Sequence, residues 1–180
     1  NPKQNKGITE FVSLFEKNST SDWNWFEKSL TYSNSKICES LFYAFMVTQD
    51  QKYLKTALIT LNFLISKTFH DEVFVPIGQN GWHEYNGERA YFDQQPVDVS
   101  SMVRALILAY KLTKNLEYEK KALDTFKWFL GKNVLKQIIY NEQTGGCYDG
   151  LGKETINLNQ GAESTLSYLM ARLTLEEVAN

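Results

Sequence analysis

The feature that most restricts what this chain can fold into is an ungapped internal repeat. Gln95-Pro96-Val97-Asp98 is followed 65 positions later by Gln160-Gly161-Ala162-Glu163. The same shift pairs Ser35 with Ser100, Leu41 with Leu106, Ala44 with Ala109 and Thr48 with Thr113. It also pairs Tyr53 with Tyr118, Ala57-Leu58 with Ala122-Leu123, Thr60 with Thr125 and Lys67 with Lys132. The polar connecting stretches match too: Gly81 meets Gly146, Glu84 meets Asp149 and Gly87 meets Gly152. A fixed period of this length is the signature of stacked supersecondary units that bury their faces against one another.

Hydrophobic periodicity gives the content of each unit. A first helix is expected over residues 8–17, with Phe11, Val12, Leu14 and Phe15 apolar, before Asn18-Ser19-Thr20-Ser21 breaks it. A second, over 35–49, has apolar residues around nearly its whole circumference and is expected to be buried on most sides. A third, over 51–68, carries one apolar stripe and a polar back, as an outer helix does. A long loop over 69–95 follows, in which Val73-Phe74-Val75 suits a short strand. The fourth helix, 96–114, opens on Pro96, a residue suited to the first helical position. The fifth, 117–130, ends before Gly131 as a C-terminal cap. After a second long loop the sixth runs over 161–177. The unit is therefore helix, tight turn, helix, long loop. Tight turns near Asp50 and Asn115 force antiparallel pairs. The long loops then share one end of the molecule, where functional residues usually gather. The expected fold is all-α: antiparallel helical hairpins in an inner and an outer layer, with short β segments in the long loops, forming one domain over 1–180.

Composition excludes several functions. The 180 residues carry 19 basic and 21 acidic side chains without a basic run, so no face is suited to nucleic acid. No apolar stretch reaches membrane-spanning length. The polar start lacks a signal-peptide core, and the chain begins with Asn, as a processed or excised chain would. Two cysteines and two histidines lack zinc-ligand spacing, and no phosphate loop or nucleophile elbow is present, so no metal or cofactor is expected. The two cysteines, Cys38 and Cys147, lie in different kinds of segment and read as free thiols, which points to a cytoplasmic setting.

Three stretches would meet at the loop end. One holds Trp23, Trp25, Glu27, Tyr32, Asn34 and Glu39; the second Trp82, His83, Asp93, Gln94, Gln95 and Asp98; the third Tyr148, Asp149, Asn157, Asn159, Gln160 and Glu163. Aromatics beside carboxylates and amides are what a carbohydrate needs. The C–H face of a sugar ring stacks on Trp or Tyr, and its hydroxyls pair with Asp, Glu, Asn and Gln. Glycoside hydrolysis would in addition need two carboxyl groups across the scissile bond, with Glu27, Glu39, Asp93, Asp98, Asp149 and Glu163 as candidates. Each element has a structural reading alongside. Asp98 and Glu163 fall in first helical turns, where acids stabilise the free amides. Trp23, Trp25 and Phe26 suit an apolar plug as well as a sugar platform, and His83 suits a hydrogen-bonded loop position.

Four ordered runs add a resemblance. They are Trp23-Asn24-Trp25-Phe26-Glu27 with Leu30-Thr31-Tyr32-Ser33-Asn34; Gly81-Trp82 with Arg89-Ala90-Tyr91-Phe92-Asp93-Gln94-Gln95-Pro96-Val97; Thr144 through Leu151; and Asn157 through Leu166. Together they resemble the helical domain of the six-hairpin glycosidase-like superfamily that often follows a group 1 glycosyltransferase domain in bacterial proteins. The resemblance implies an α/α toroid with a role in carbohydrate metabolism, and Glu27, Glu39, Asp93, Asp149 and Glu163 as its signature acids. Asp98 stands where Glu would be common. A full toroid has twice the helices read here, so the chain corresponds to half a ring or a compact version of one. The partners implied are a carbohydrate and, for the open half-ring, an N-terminal glycosyltransferase domain or a second copy of the chain. The function expected is saccharide binding within a glycosyltransferase-type or glycan-processing protein; a glycosidase or sugar epimerase and a non-catalytic docking domain are the alternatives.

Overall fold

A computed structural model describes residues 5–179, with the side chains of 7–178. The helices are α1 (Asn5–Asn18), α2 (Ser35–Thr48), α3 (Gln51–Thr68), α4 (Pro96–Thr113), α5 (Leu116–Phe126) and α6 (Ala162–Ala179). Between them lie two-residue strands: β1 (Ser29–Leu30), β2 (Phe69–His70), β3 (Val73–Phe74), β4 (His83–Glu84), β5 (Tyr140–Asn141), β6 (Gly146–Cys147), β7 (Gly150–Leu151) and β8 (Ile156–Asn157).

The repeat reappears atom by atom in the tight turns. Gln49 and Lys114 close α2 and α4 in left-handed conformations, both with φ of 59°. Asp50 and Asn115 then cap α3 and α5 by accepting the backbone N–H of Lys52 at 3.1 Å and of Glu117 at 3.0 Å. Thr48 and Thr113 each donate a hydroxyl to the carbonyl four residues back, at 2.7 Å, and accept the N–H of the capping residue. The same side chains at the same positions satisfy the same orphan groups at helix ends, so both hairpins turn alike.

Helices α2, α4 and α6 stand side by side in an inner row, with α3 and α5 packed behind and α1 against α2 and α3. The inner three run parallel. Ser35 and Ser101, in the first two turns of α2 and α4, share a hydrogen bond of 2.8 Å, and Lys111 and Glu177, in the last turns of α4 and α6, form an ion pair of 2.8 Å. The core runs continuously from Val12 on α1 to Ala171 on α6.

The long connecting segments do meet at one rim. Strand β1, in the first, pairs antiparallel with β4, in the second, matching Ser29 with Glu84 and Leu30 with His83. One repeat on, Gln94 bridges to Leu151 of the third segment, two residues beyond the Asp149 that strict repetition would select. Hairpins β2–β3, β5–β6 and β7–β8 fold the remaining lengths back on themselves.

Some expectations are corrected. Helix α5 stops at Phe126 instead of residue 130, because Trp128 and Phe129 are wholly buried and the chain continues in tight turns that aim them inward. The expected strand at residues 73–75 is confined to Val73–Phe74. It is α4, not α2, that is buried nearly all round. α2 sits at the end of the row and leaves Tyr43, Met46 and Val47 exposed.

Replacing either turn cap, Asp50→Ala or Asn115→Ala, should lower stability by about 1 kcal/mol, and the double variant by about the sum. Urea unfolding measures this. Unchanged midpoints would mean that the caps do not hold the hairpins.

Candidate functional site

The second and third connecting segments enclose a cleft of about 550 Å³ at the rim. Its lining comprises Gln79, Asn80, Asp93, Gln94 and Gln95 from one side and Asp149, Gly150, Leu151, Gly152 and Asn157 from the other. No basic side chain is among them.

The walls are tied by backbone. Gln94 and Leu151 exchange two hydrogen bonds of 2.9 Å, which requires the chain at Gly150 to pass so close that a methyl group there would overlap the Gln94 carbonyl. The Gln94 side chain, 1% exposed, donates to the Tyr91 carbonyl at 2.8 Å and accepts the indole N–H of Trp128 at 2.8 Å. Gln94 is therefore a brace, with its amide oxygen and its amide N–H each engaged by the protein. Asp149 caps α6, its Oδ1 accepting Gly161 N–H at 2.9 Å and Ser164 Oγ–H at 2.6 Å. Its backbone N–H reaches the carbonyls of Asn157 and Asn159.

Against that frame stand side chains without a protein partner. Among the described residues, no hydrogen bond or ion pair engages the side chains of Gln79, Asn80, Asp93 or Gln95. Asp93 is exposed and sits at φ of 60°, a left-handed conformation that Asp tolerates better than most residues.

The other sequence candidates do not line the cleft. Trp23 and Trp25 are 3% and 1% exposed and pack on Phe63 and, for Trp25, on Phe26; theirs is the plug, not the platform. Glu27 is exposed on the first segment, its carbonyl accepting the Trp23 indole N–H at 2.7 Å. Asn34 folds its own turn by bonding both backbone groups of Thr31. Glu39 is buried in an ion pair with Arg104 and Lys36. His83 packs edge-on to Trp23, and burial, with Lys67 and Arg89 nearby, lowers its pKa. Tyr148 accepts from Asn141 at 3.0 Å, Gln160 accepts from Thr144 at 2.7 Å, and Asn159 N–H caps onto the Asn157 side chain. Tyr32, exposed, and Trp82, half-buried, form an aromatic pair. Both thiols are buried and pushed up to about 12, Cys38 by desolvation and Cys147 by desolvation with the Asp149 charge nearby, so neither is a ready nucleophile.

Repeat position 33/98/163 is a special case. Asp98, 7% exposed in the first turn of α4, accepts the N–H of its own repeat equivalent, Ser33, at 2.5 Å. Its Oδ2 is buried without a partner. Desolvation, with the charge of Glu163 adding to it, pushes the carboxyl up to about 7. Glu163, the third equivalent, is exposed in the first turn of α6.

Gln79 and Asn80 are not singled out from sequence, and Gly150, Leu151 and Gly152 enter there only through the repeat and the third run. The signal available was the amide pair set between Gly78 and Gly81, a turn too polar to be packing.

No protein-family model matches the sequence, and no curated protein matches it. Solved structures do. One is a glycoside hydrolase family 76 mannosidase, Bt3792, from Bacteroides thetaiotaomicron VPI-5482, with a TM-score of 0.63 at 16% identity. The match covers 81% of this chain and 38% of that one. Another is an inactive variant of alpha-1,6-mannanase, GH76A of Salegentibacter sp. HEL1_6, carrying two consecutive Asp-to-Asn changes and in complex with alpha-1,6-mannotriose. There the TM-score is 0.64 at 12% identity, covering 96% of this chain and 55% of that one. The fold is thus that of an α/α toroid, the six-hairpin glycosidase-like architecture, and the chain spans about half or less of the neighbours' length.

Asp98 sets a pH dependence. Its folded pKa lies above the ordinary 3.8, so between about pH 4 and 7 the folded state holds a proton that the unfolded state has lost. Stability should fall as pH rises through that window, by up to about 1.4 kcal/mol per unit from this group. Asp98→Asn should flatten that slope in melts taken from pH 4 to 8; an unchanged slope would place its titration in the ordinary range. Separately, Gln94→Ala should cost about 1–3 kcal/mol by stranding the buried Trp128 N–H, read in urea unfolding.

Proposed function

We propose that the rim cleft binds a neutral saccharide and that this half-ring serves a glycan-processing protein. The observation that carries the reading is the set of unpartnered polar side chains, Gln79, Asn80, Asp93 and Gln95, held on a braced frame. A protein that leaves amides and a carboxylate unpaired around a concave space offers donors and acceptors to a ligand rich in both. The lining has two carboxylates and no cation, which disfavours phosphorylated or uronic sugars and suits uncharged ones. Structural neighbours named as a mannosidase and a mannanase make α-mannosides the first probes. The bacterial glycosyltransferase context remains part of this proposal, resting on the resemblance of the four sequence runs.

Two observations favour other readings. A protonated Asp98 with Glu163 nearby has the acid-and-base character of glycoside hydrolysis. Exposed Leu166, Leu169, Met170 and Leu173 on α6, with Tyr43 and Val47 on α2, favour docking on a further domain or a second copy.

Calorimetry with alpha-1,6-mannotriose tests the binding reading. Heat of binding should be measurable at millimolar ligand, and Asp93→Asn should weaken it about tenfold without shifting the melting temperature, as loss of a charge-assisted hydrogen bond does. No heat with any neutral saccharide would overturn the reading. Release of reducing ends that Asp98→Asn abolishes would establish the hydrolase in its place.

A further inference from the structure

Trp82 behaves unlike the other tryptophans. Trp23, Trp25 and Trp128 are 3%, 1% and 0% exposed, and Trp23 and Trp128 commit their indole N–H groups to protein acceptors. Trp82 is only half-buried, and among the described residues its indole N–H has no hydrogen-bond partner. Its ring meets Tyr32 at a centroid distance of 6.0 Å with the planes tilted by 36°. Tyr32 is 59% exposed, and its hydroxyl likewise has no partner among the described residues.

The backbone holds this arrangement at a cost. Trp82 sits at φ of 57°, where a bulky side chain is an outlier. It is pinned there by its N–H to the Gly78 carbonyl at 3.2 Å and by the Ala90 N–H to its own carbonyl at 2.8 Å. Strained positions of this kind persist where the surroundings impose them, and they cluster at sites of function. Other exposed rings at the rim already have cations beside them: Tyr91 lies 4.8 Å from the Arg89 guanidinium and Phe92 lies 5.8 Å from the Lys153 ammonium. No cation is recorded over the Tyr32 or Trp82 ring among the described residues.

The pair is close along the chain to residues of the cleft. Trp82 follows Gln79 and Asn80, which line it, within one tight turn. Tyr32 precedes Ser33, whose N–H is fastened to Asp98 just beyond Gln95. An apolar surface with two free polar tips is thus close along the chain to a polar hollow.

We propose that Tyr32 and Trp82 form a stacking platform for a second sugar ring, so that the ligand is an oligosaccharide with one residue in the cleft and a neighbouring residue over the pair. This rests on the saccharide reading of the cleft. The apolar face of a pyranose packs on the aromatic surface, while the Trp82 N–H and the Tyr32 hydroxyl serve ring hydroxyls. The cleft supplies orientation through Asp93 and the amides, and the platform supplies length selectivity.

Calorimetry with mannose and alpha-1,6-mannotriose, on the unaltered chain and on Tyr32→Ala, Trp82→Gly and Asp93→Asn, tests this. Glycine at position 82 keeps the left-handed backbone while removing the ring. The trisaccharide should bind at least about tenfold more tightly than mannose, a difference of about 1.4 kcal/mol. Tyr32→Ala and Trp82→Gly should erase that advantage while leaving mannose affinity and melting temperature unchanged. Asp93→Asn should weaken both ligands. Equal affinities for the two sugars, or platform variants that only lower the melting temperature, would overturn the platform and leave the cleft reading standing. Absence of binding by both sugars would overturn both.

Discussion

The double hydrogen bond between the backbones of Gln94 and Leu151 is what the rim depends on. Helix packing alone would set α4 and α6 side by side and leave their preceding segments free to diverge. The exchange at this bridge, repeated by Ser29 and Glu84 one unit earlier, converts separate loops into a connected wall. Gln94 completes the tie through its side chain, reaching the Trp128 indole from behind. Because buried amides are costly to leave unpaired, each of these contacts excludes alternatives, and the rim is well defined despite having strands of only two residues.

The repeat is followed closely in the turns and loosely at the rim. Thr48, Asp50, Thr113 and Asn115 perform identical tasks because each task is local: a hydroxyl to a carbonyl, a side chain to an N–H two residues on. At the rim the equivalent pairing slips by two residues, and the equivalent positions Ser33, Asp98 and Glu163 have diverged into a backbone donor, a buried acid and an exposed acid. Divergence within one repeat position, at the end where loops gather, is what a scaffold with a site at one end would show.

Burial separates the acids into roles. Glu39 is neutralised by Arg104 and Lys36, and Asp149 is occupied with the start of α6. Asp98 is raised in pKa by its surroundings, while Asp93 stands exposed and unpartnered in the cleft. The aromatics divide the same way: Trp23 and Trp25 hold the end of the bundle closed, while Tyr32 is exposed and Trp82 only half-buried.

Read alone, the sequence determined the helix count, the antiparallel hairpins, the inner and outer layers and the gathering of loops at one end. These follow from local rules, since apolar spacing and capping residues are printed along the chain and a period of 65 transfers them from one unit to the next. It listed most of the polar residues at the rim, yet it could not divide them. Whether Trp25 lies in the core and Trp82 outside, or whether Gln94 braces while Gln95 stays free, depends on which long-range neighbour claims each group. Only the tertiary structure decided that, because burial and pairing belong to contacts between distant segments, and no spacing within a segment encodes them.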